Sequence, residues 1–237
     1  VDLITKALAI KPDYAEAHNN IGLALQELGQ PKEAEASYRT ALAINPDYDK
    51  AQYNRGNVLG DLNRLDEAVA SYRKALALNP KHGLSWNNLG STLENLGDMS
   101  GAEDAYFRAV QLNRRHAEAQ NNLGAIYSVQ GKLDEARTCF EDAIEANPGF
   151  VSPHYNLSSL KTYSKGDAHL KQLEEIALRA DAAQSLDARI RLSFALGKAR
   201  EDVGNYDAAF VAYENGNRLQ HNRLPVDERK ADANLAK

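Results

Sequence analysis

A period of 34 residues constrains the fold of this chain more than any other feature of its sequence. Three kinds of small or aromatic residue recur at this interval: Gly22, Gly56, Gly90 and Gly124; Ala34, Ala68, Ala102 and Ala136; Tyr38, Tyr72, Tyr106 and Phe140. A fixed interval of this length is typical of supersecondary units that stack on their neighbours. We therefore expect a repeat array rather than a domain with one central core.

The residue types within the period predict two helices in each unit. The small residues let two helix backbones approach closely, and the aromatic residue fills the space beside them. Gly29, Gly97 and Gly131 lie between the two helices, where a left-handed residue commonly ends a helix; Asn63 takes this place in the second unit, and asparagine also tolerates positive φ. Pro46, Pro80 and Pro148 follow the second helix and stop it. The sequence thus predicts an all-α fold of helix–turn–helix units.

This pattern resembles the tetratricopeptide repeat family, because many positions agree in one phase. The resemblance implies a right-handed superhelical solenoid whose first helices line a concave face, and it implies a protein-interaction module. The predicted full repeats are residues 15–48, 49–82, 83–116 and 117–150.

The ends of the array depart from the full repeat. Residues 1–14 match the second helix of a truncated repeat, and residues 151–189 form a degenerate repeat and junction. Residues 190–223 restore the phase as a repeat-like unit, and residues 224–237 begin a linker. We expect the chain to be part of a longer protein with a further domain beyond residue 237.

Asparagine recurs on the first helix of each unit, although it is a poor helix former and costly to bury. Numbered from residue 15, position 6 reads Asn20, Asn54, Asn88, Asn122 and Asn156, and position 5 reads Asn19, Tyr53, Asn87, Asn121 and Tyr155. The resemblance implies that positions 5, 6 and 9 belong to the concave face, which adds Asn57 at position 9. An amide both donates and accepts hydrogen bonds. These residues are therefore predicted to bind the backbone of an extended peptide, and the alternative is that they bridge adjacent repeats.

The asparagine pattern resembles that in the repeats of O-linked N-acetylglucosamine transferase, where such residues hold the substrate backbone. One alternative function is therefore the repeat arm of an O-linked glycosyltransferase. Another alternative is a scaffold that forms homo-oligomers through its truncated end repeats, since residues 1–14 would leave an apolar helix face without a partner.

The C-terminal third carries a second resemblance. "HYNLSSLKTY" at 154–163, "LSFALGKAREDVGNYDAAFVAYENGNRLQ" at 192–220 and "RLPVD" at 223–227 resemble the junction in bacterial tetratricopeptide-repeat sulfotransferases. The resemblance implies a bacterial, sulfotransferase-associated protein in which the repeats recruit a substrate or partner. A sulfotransferase also needs a PxSGTT-like phosphate loop, which this chain lacks. The chain itself is therefore predicted not to be an enzyme and to have no catalytic residue.

The composition and charge of the chain limit the classes of partner that it is expected to bind. The net charge is −5 and no basic run is present, which argues against nucleic acid as a partner, and no apolar run is long enough for a membrane span. The single cysteine, Cys139, excludes an internal disulfide, and the six histidines show no metal-ligand spacing along the sequence. We therefore expect a protein or peptide partner, no cofactor, no metal and a cytoplasmic location.

Overall fold

The computed structural model describes residues 13–179 and 185–222, and these residues are helical with no strand. The described helices are α1 (Ala15–Glu27), α2 (Pro31–Ile44), α3 (Asp49–Asp61), α4 (Leu65–Leu78), α5 (Gly83–Asn95), α6 (Met99–Leu112), α7 (Ala117–Val129), α8 (Leu133–Ala146), α9 (Val151–Leu160), α10 (Ala168–Arg179), α11 (Leu186–Asp202) and α12 (Tyr206–His221). This is the all-α helical-repeat fold that the sequence predicts. The truncated helix expected within residues 1–14 and the linker expected at 224–237 lie, but for residues 13 and 14, outside the described residues.

The recurring glycine and tyrosine meet at the centre of each helix pair. A Cβ added to Gly56 on α3 would lie 2.5 Å from the ring of Tyr72 on α4. Equivalent contacts join Gly22 to Tyr38, Gly90 to Tyr106 and Gly197 to Tyr213. The ring therefore packs directly on the helix backbone, which explains why these two residue types recur in one phase.

The turn between the paired helices needs a left-handed residue. Gly97 has a φ of +82° between α5 and α6, and Asn63 has a φ of +57° between α3 and α4. Asn63 is the one non-glycine residue with positive φ among the residues described. Asparagine adopts this conformation at lower cost than most side chains, which accounts for its place in the repeat.

The chain divides into two compact units, residues 1–126 and 127–237, and the division falls within α7. In the first unit α1, α3 and α5 pair with α2, α4 and α6, respectively, while α2 contacts α3 and α4 contacts α5. Each second helix therefore packs on the first helix of the following repeat. Buried alanines such as Ala34, Ala68 and Ala102 keep these helix contacts close.

The second unit departs from the regular repeat after α9. This helix ends at Leu160, after 10 residues, whereas the four preceding first helices have 13. Tyr163 and Leu173 then enter a core that Leu192 and Leu196 of α11 complete. The helix α11 begins at Leu186, four residues before the boundary predicted at 190, because the Ser185 side chain accepts a hydrogen bond from the Ala188 N–H and caps the helix there.

Two histidines that are distant in sequence meet in this second unit. Nδ1 of His154 lies 2.9 Å from Nε2 of His169, and Nδ1 of His169 lies 2.8 Å from the Tyr163 hydroxyl. Nε2 of His154 donates to the Pro148 carbonyl, 2.9 Å away, which leaves Nδ1 of His154 as the acceptor from His169. Burial lowers the pKa of both imidazoles, that of His169 to about 3, so both are neutral in the folded protein.

Candidate functional site

The predicted asparagines of the first unit lie on three neighbouring first helices, since α3 contacts both α1 and α5. Asn20 is exposed, and Asn54, Asn88 and Asn122 are half-buried. Tyr53 and Asn57 are also half-buried on α3. Position 6 therefore keeps part of its amide accessible in every repeat of this unit. We call Asn20, Asn54, Asn57 and Asn88 the asparagine face.

The asparagines at position 5 do not lie on this open face. Asn19, Asn87 and Asn121 are only 4, 5 and 8% exposed, so little of their side chains is accessible to a peptide, and their predicted role in binding one stays a prediction. Adjacent helix residues point about 100° apart, and in α1, α5 and α7 this turns the amide at position 5 inward while the amide at position 6 stays at least partly accessible. Each of the three donates Nδ2 to Oδ1 of the asparagine that follows it, over 3.4, 3.2 and 3.2 Å, respectively.

Two asparagines of the face also join adjacent repeats. Nδ2 of Asn54 donates to Oδ1 of Asn19, 2.9 Å away, and Nδ2 of Asn88 donates to Oδ1 of Asn57, also 2.9 Å away. Nδ2 of Asn88 also lies 3.5 Å from the hydroxyl of Tyr53. The alternative that these residues bridge repeats therefore describes part of what they do. It also means that the fold already uses part of their hydrogen-bonding capacity.

The residues of the asparagine face differ in how many of their hydrogen-bonding groups the fold leaves unused. Asn88 has Oδ1 engaged by Asn87 and Nδ2 engaged by Asn57. In contrast, Oδ1 of Asn54 and Nδ2 of Asn57 have no hydrogen-bond partner in the described part of the chain. One acceptor and one donor on the same face of α3 are thus available to a ligand.

A cavity opens beside Asn57 because position 12 of this repeat is glycine. In the repeats on either side, the tyrosine hydroxyl donates to a long position-12 side chain: Tyr38 donates to Gln26, and Tyr106 donates to Glu94. Gly60 has no side chain there, so the Tyr72 hydroxyl donates to Oδ1 of Asn57 over 2.8 Å. Burial raises the pKa of Tyr72, which keeps this hydroxyl protonated.

The vacated space is a cavity of about 300 Å³, lined by Asn57, Gly60, Asp61, Leu65, Tyr72, Asn88, Ser91, Thr92 and Asn95. Most of these residues offer hydroxyl, amide or carboxylate groups. The cavity therefore suits a polar ligand group such as a peptide unit rather than an apolar side chain.

Two predicted site residues belong to the second unit. Tyr155 is exposed on α9, and the guanidinium carbon of Arg191 lies 6.0 Å from the centre of its ring. Asn156 is half-buried on the same helix. A cation at this distance over an aromatic face is stabilising, so part of the tyrosine ring already has a partner within the fold.

Sequence reasoning missed the role of position 4 of the repeat. The side chain there donates to the carbonyl of a residue six positions earlier: Trp86 to Pro80 over 2.9 Å, Gln120 to Arg114 over 3.1 Å, and His154 to Pro148 over 2.9 Å. The available signal was that tryptophan, glutamine and histidine all carry a side-chain N–H. In these three repeats the donor attaches the start of the first helix to the end of the preceding repeat.

Sequence reasoning also missed a buried ion pair in the second repeat. Arg55 occupies position 7, where the other four repeats have Ile21, Leu89, Leu123 and Leu157. Nε and Nη2 of Arg55 each lie 3.0 Å from Oε1 of Glu35, a side chain that is only 9% exposed. The break in an apolar pattern at position 7 was the signal that pointed to this pair.

Other chemistry is limited in the part of the chain that the structure describes. Those residues include no group of three or more histidine, cysteine, aspartate or glutamate side chains that is arranged to hold a metal ion. Cys139 is buried, and burial raises its pKa to about 11, so the thiol is protonated and unreactive near neutral pH. Among the described helices, none combines the length and apolar character that a membrane span requires.

Comparison with known proteins agrees with this architecture. Models of the tetratricopeptide repeat match residues 15–48, 53–114 and 117–150. Together these matches cover more than half of the chain, which therefore belongs to the tetratricopeptide-repeat family. No curated protein sequence matches the chain significantly.

Several solved structures are similar to this chain. YrrB, described as a tetratricopeptide-repeat protein with an unusual peptide-binding site, is 25% identical, with a TM-score of 0.61 over 89% of this chain and 97% of that one. The pilF protein of Pseudomonas aeruginosa is 22% identical, with a TM-score of 0.68 over 94% and 97% of the two chains. MamA from Desulfovibrio magneticus RS-1 is 21% identical, with a TM-score of 0.60 over 71% and 97%. The chain is thus a helical-repeat protein of a family of protein-interaction modules.

Proposed function

We propose that this protein binds an extended peptide on the asparagine face of its first unit. The observation that carries the proposal is the pair of unused groups on α3, Oδ1 of Asn54 and Nδ2 of Asn57, beside the cavity at Gly60. Oδ1 of Asn54 can accept a hydrogen bond from the N–H of a peptide unit, and Nδ2 of Asn57 can donate one to a peptide carbonyl. The description of YrrB as a peptide-binding repeat protein of similar fold supports the same reading.

The contacts available suggest weak binding with broad sequence preference. Amide groups that contact the peptide backbone do not distinguish side chains. Each neutral hydrogen bond contributes about 0.5–1.5 kcal/mol net, and ordering a flexible peptide costs several kcal/mol. We therefore expect dissociation constants on the order of micromolar, roughly −7 to −8 kcal/mol.

The best test fills the cavity without removing any asparagine, because Asn54 and Asn88 also hold the repeats together. Gly60→Gln gives the second repeat the same residue that the first repeat has at this position, Gln26, which accepts the Tyr38 hydroxyl. A Cβ added at Gly60 meets no atom within 4 Å, so the fold tolerates the change. Gly83→Gln is the matched control, since Gly83 is also helical and open but does not line the cavity.

Binding of a random-sequence library of unstructured peptides to the three proteins measures the effect. We expect Gly60→Gln to weaken binding at least about tenfold, which is about 1.4 kcal/mol, and Gly83→Gln to leave it unchanged. Circular dichroism checks that helicity is retained in both. Equal binding by all three proteins would place the peptide elsewhere, and an absence of binding to the unmodified protein would refute the proposed function.

The larger context is proposed from sequence resemblance alone. The segments at 154–163 and 192–220 support a role as the substrate- or partner-recruiting arm of a bacterial sulfotransferase in the cytoplasm. The full natural chain, assayed for sulfate transfer from 3′-phosphoadenosine-5′-phosphosulfate, tests this. A full chain without a PxSGTT-like loop and without transfer would instead favour the alternatives, the arm of an O-linked glycosyltransferase or a self-associating scaffold. Elution mass with and without residues 1–14 tests self-association through that segment.

A further inference from the structure

A second cavity of the first unit lies on the other side of α3 from the asparagine face. It is open to solvent, has a volume of about 560 Å³ and is bordered by α2, α4 and the start of α3. From α3 it is lined by Gln52 and Arg55. At about 100° per residue these two side chains project from the side of the helix opposite to Asn54 and Asn57. We call this cavity the basic groove.

Two cations stand on opposite walls of the basic groove. Arg39 lies on α2 and Lys74 on α4, both are exposed, and neither has an ion-pair partner among the residues described. One acidic residue, Asp47, also lines the groove. Arg55 at the floor is balanced by Glu35, and its Nη2 also lies 3.8 Å from Oε2 of Glu67. The walls therefore leave a net positive charge that attracts an anionic group.

The floor of the groove has hydrogen-bonding capacity that the fold does not use. The guanidinium of Arg55 carries five N–H groups. Nε–H and one N–H on Nη2 are directed at Glu35, Nη2 also lies 3.8 Å from Glu67, and one N–H on Nη1 reaches Ser71 Oγ at 3.4 Å, which leaves one N–H on Nη1 unused. Gln52 is only 6% exposed, and its Oε1 has no hydrogen-bond partner in the described residues. A buried acceptor without a donor costs free energy, which a ligand N–H would recover.

The next repeat provides an internal comparison. The equivalent groove there is lined by Trp86 and Leu89 in place of Gln52 and Arg55, and its volume is about 350 Å³. Val69 stands where the first repeat has Glu35. The repeat architecture therefore does not require a polar floor. The buried ion pair is a local departure that gains little stability over an apolar floor.

The aliphatic lining defines the rest of the ligand. Leu42, Pro46 and Leu78 border the groove next to the two wall cations. A volume of about 560 Å³ is within the range of roughly 300–1,000 Å³ that is typical of ligand sites. We propose that the basic groove binds a peptide segment in which acidic side chains alternate with aliphatic ones, with carboxylates at Arg39 and Lys74, aliphatic groups on Leu42 and Leu78, and a backbone N–H at Gln52.

The test uses two hexapeptides with blocked ends, GELEVG and its uncharged counterpart GQLQVG. Binding is followed by NMR through the side-chain N–H signals of Gln52 and Arg55, which report this groove and not the asparagine face. We expect GELEVG to shift both signals and to bind at least about fivefold more tightly than GQLQVG, since each partly exposed charge pair adds a small gain. Equal binding of the two peptides, or shifts confined to other residues, would overturn the proposal.

Three variants separate the contributions of walls and floor. Arg39→Gln combined with Lys74→Gln removes the wall cations and is expected to weaken GELEVG binding about fivefold or more. Arg73→Gln is the matched control, because Arg73 is the exposed neighbour of Lys74 but lines the other groove. The Arg73→Gln variant is expected to bind GELEVG as tightly as the unmodified protein.

The combination of Glu35→Val, Gln52→Trp and Arg55→Leu copies the floor of the next repeat, which consists of Val69, Trp86 and Leu89. It leaves no buried charge unpaired, so the protein is expected to fold. Because it abolishes the polar floor, loss of GELEVG binding in a folded variant supports the proposal. Retained binding in this variant, or a failure of the unmodified protein to bind GELEVG at millimolar concentration, would refute it.

Discussion

Replacing Gly56 by alanine is expected to destabilise the first unit by about 2 kcal/mol, although the same replacement usually stabilises a helix. The added Cβ would lie 2.5, 2.7 and 2.9 Å from three ring carbons of Tyr72. The ring is 3% exposed and its hydroxyl is held by Asn57, so it has little freedom to move away. Helices α3 and α4 must therefore separate.

The magnitude follows from two opposing effects. Overpacking a close-packed contact costs about 1–3 kcal/mol, and the large overlap places this case at the upper end. The gain in helix propensity from glycine to alanine returns about 1 kcal/mol. Gly60→Ala, one turn later on the same helix, meets no atom within 4 Å. That control is expected to gain about 0.5–1 kcal/mol, which separates the two variants by about 3 kcal/mol.

The assay is urea unfolding followed by the fluorescence of Trp86, the single tryptophan of the chain, which lies in the first unit. Unfolding of the second unit is then not counted in the signal. A Tyr72→Leu change combined with Gly56→Ala should recover part of the loss, because the smaller side chain relieves the overlap. Equal stability of Gly56→Ala and Gly60→Ala, or no coupling to Tyr72, would refute the close-approach explanation.

Three further changes test the fold elsewhere. Burial keeps His154 and His169 neutral, whereas in the unfolded chain both histidines bind protons below the ordinary histidine pKa near 6.5. The second unit should therefore lose up to about 1.4 kcal/mol of stability per histidine for each pH unit between pH 6.5 and 5, measured by hydrogen exchange. A constant stability over that range would contradict the buried pair. Tyr163→Phe leaves Nδ1 of His169 without its donor and should cost about 1–3 kcal/mol in the same measurement, whereas no loss would show that the hydroxyl contributes nothing. Asn63→Ala should cost about 1 kcal/mol in urea unfolding because φ is +57°, while Asn63→Gly should not; equal losses would exclude backbone strain as the cause.

The asparagines show what a sequence pattern can predict about a side chain and what it cannot. Their phase placed them on the first helices, and the structure finds Asn20, Asn54 and Asn88 at least partly accessible there. The pattern did not distinguish Asn19 and Asn87, which the structure buries. A difference of one residue turns a side chain by about 100°, and only the packing of the neighbouring repeat decides which of two adjacent amides is covered.

The histidines and the buried ion pair show a different limit. His154 and His169 are 15 residues apart and Arg55 and Glu35 are 20 apart, yet both pairs are in contact. No local spacing rule covers such separations, because the partner is chosen by how two helices cross. Arg55 is a cation at position 7, where the other repeats have an apolar residue, so the sequence indicated an exception there. It did not indicate that Glu35 is the ion-pair partner.

The sequence by itself determined the length of the repeat, the helix pairs, the turn residues and the glycine–tyrosine contact. These features depend on interactions within one repeat, and they could be predicted because the same residue types recur from repeat to repeat. Only the tertiary structure decided which amides remain available, where the cavities open and which charges are paired. Those properties arise between successive repeats, where the absence of a side chain at Gly60 or the presence of a cation at Arg55 alters the surroundings of residues that the repeat otherwise keeps the same.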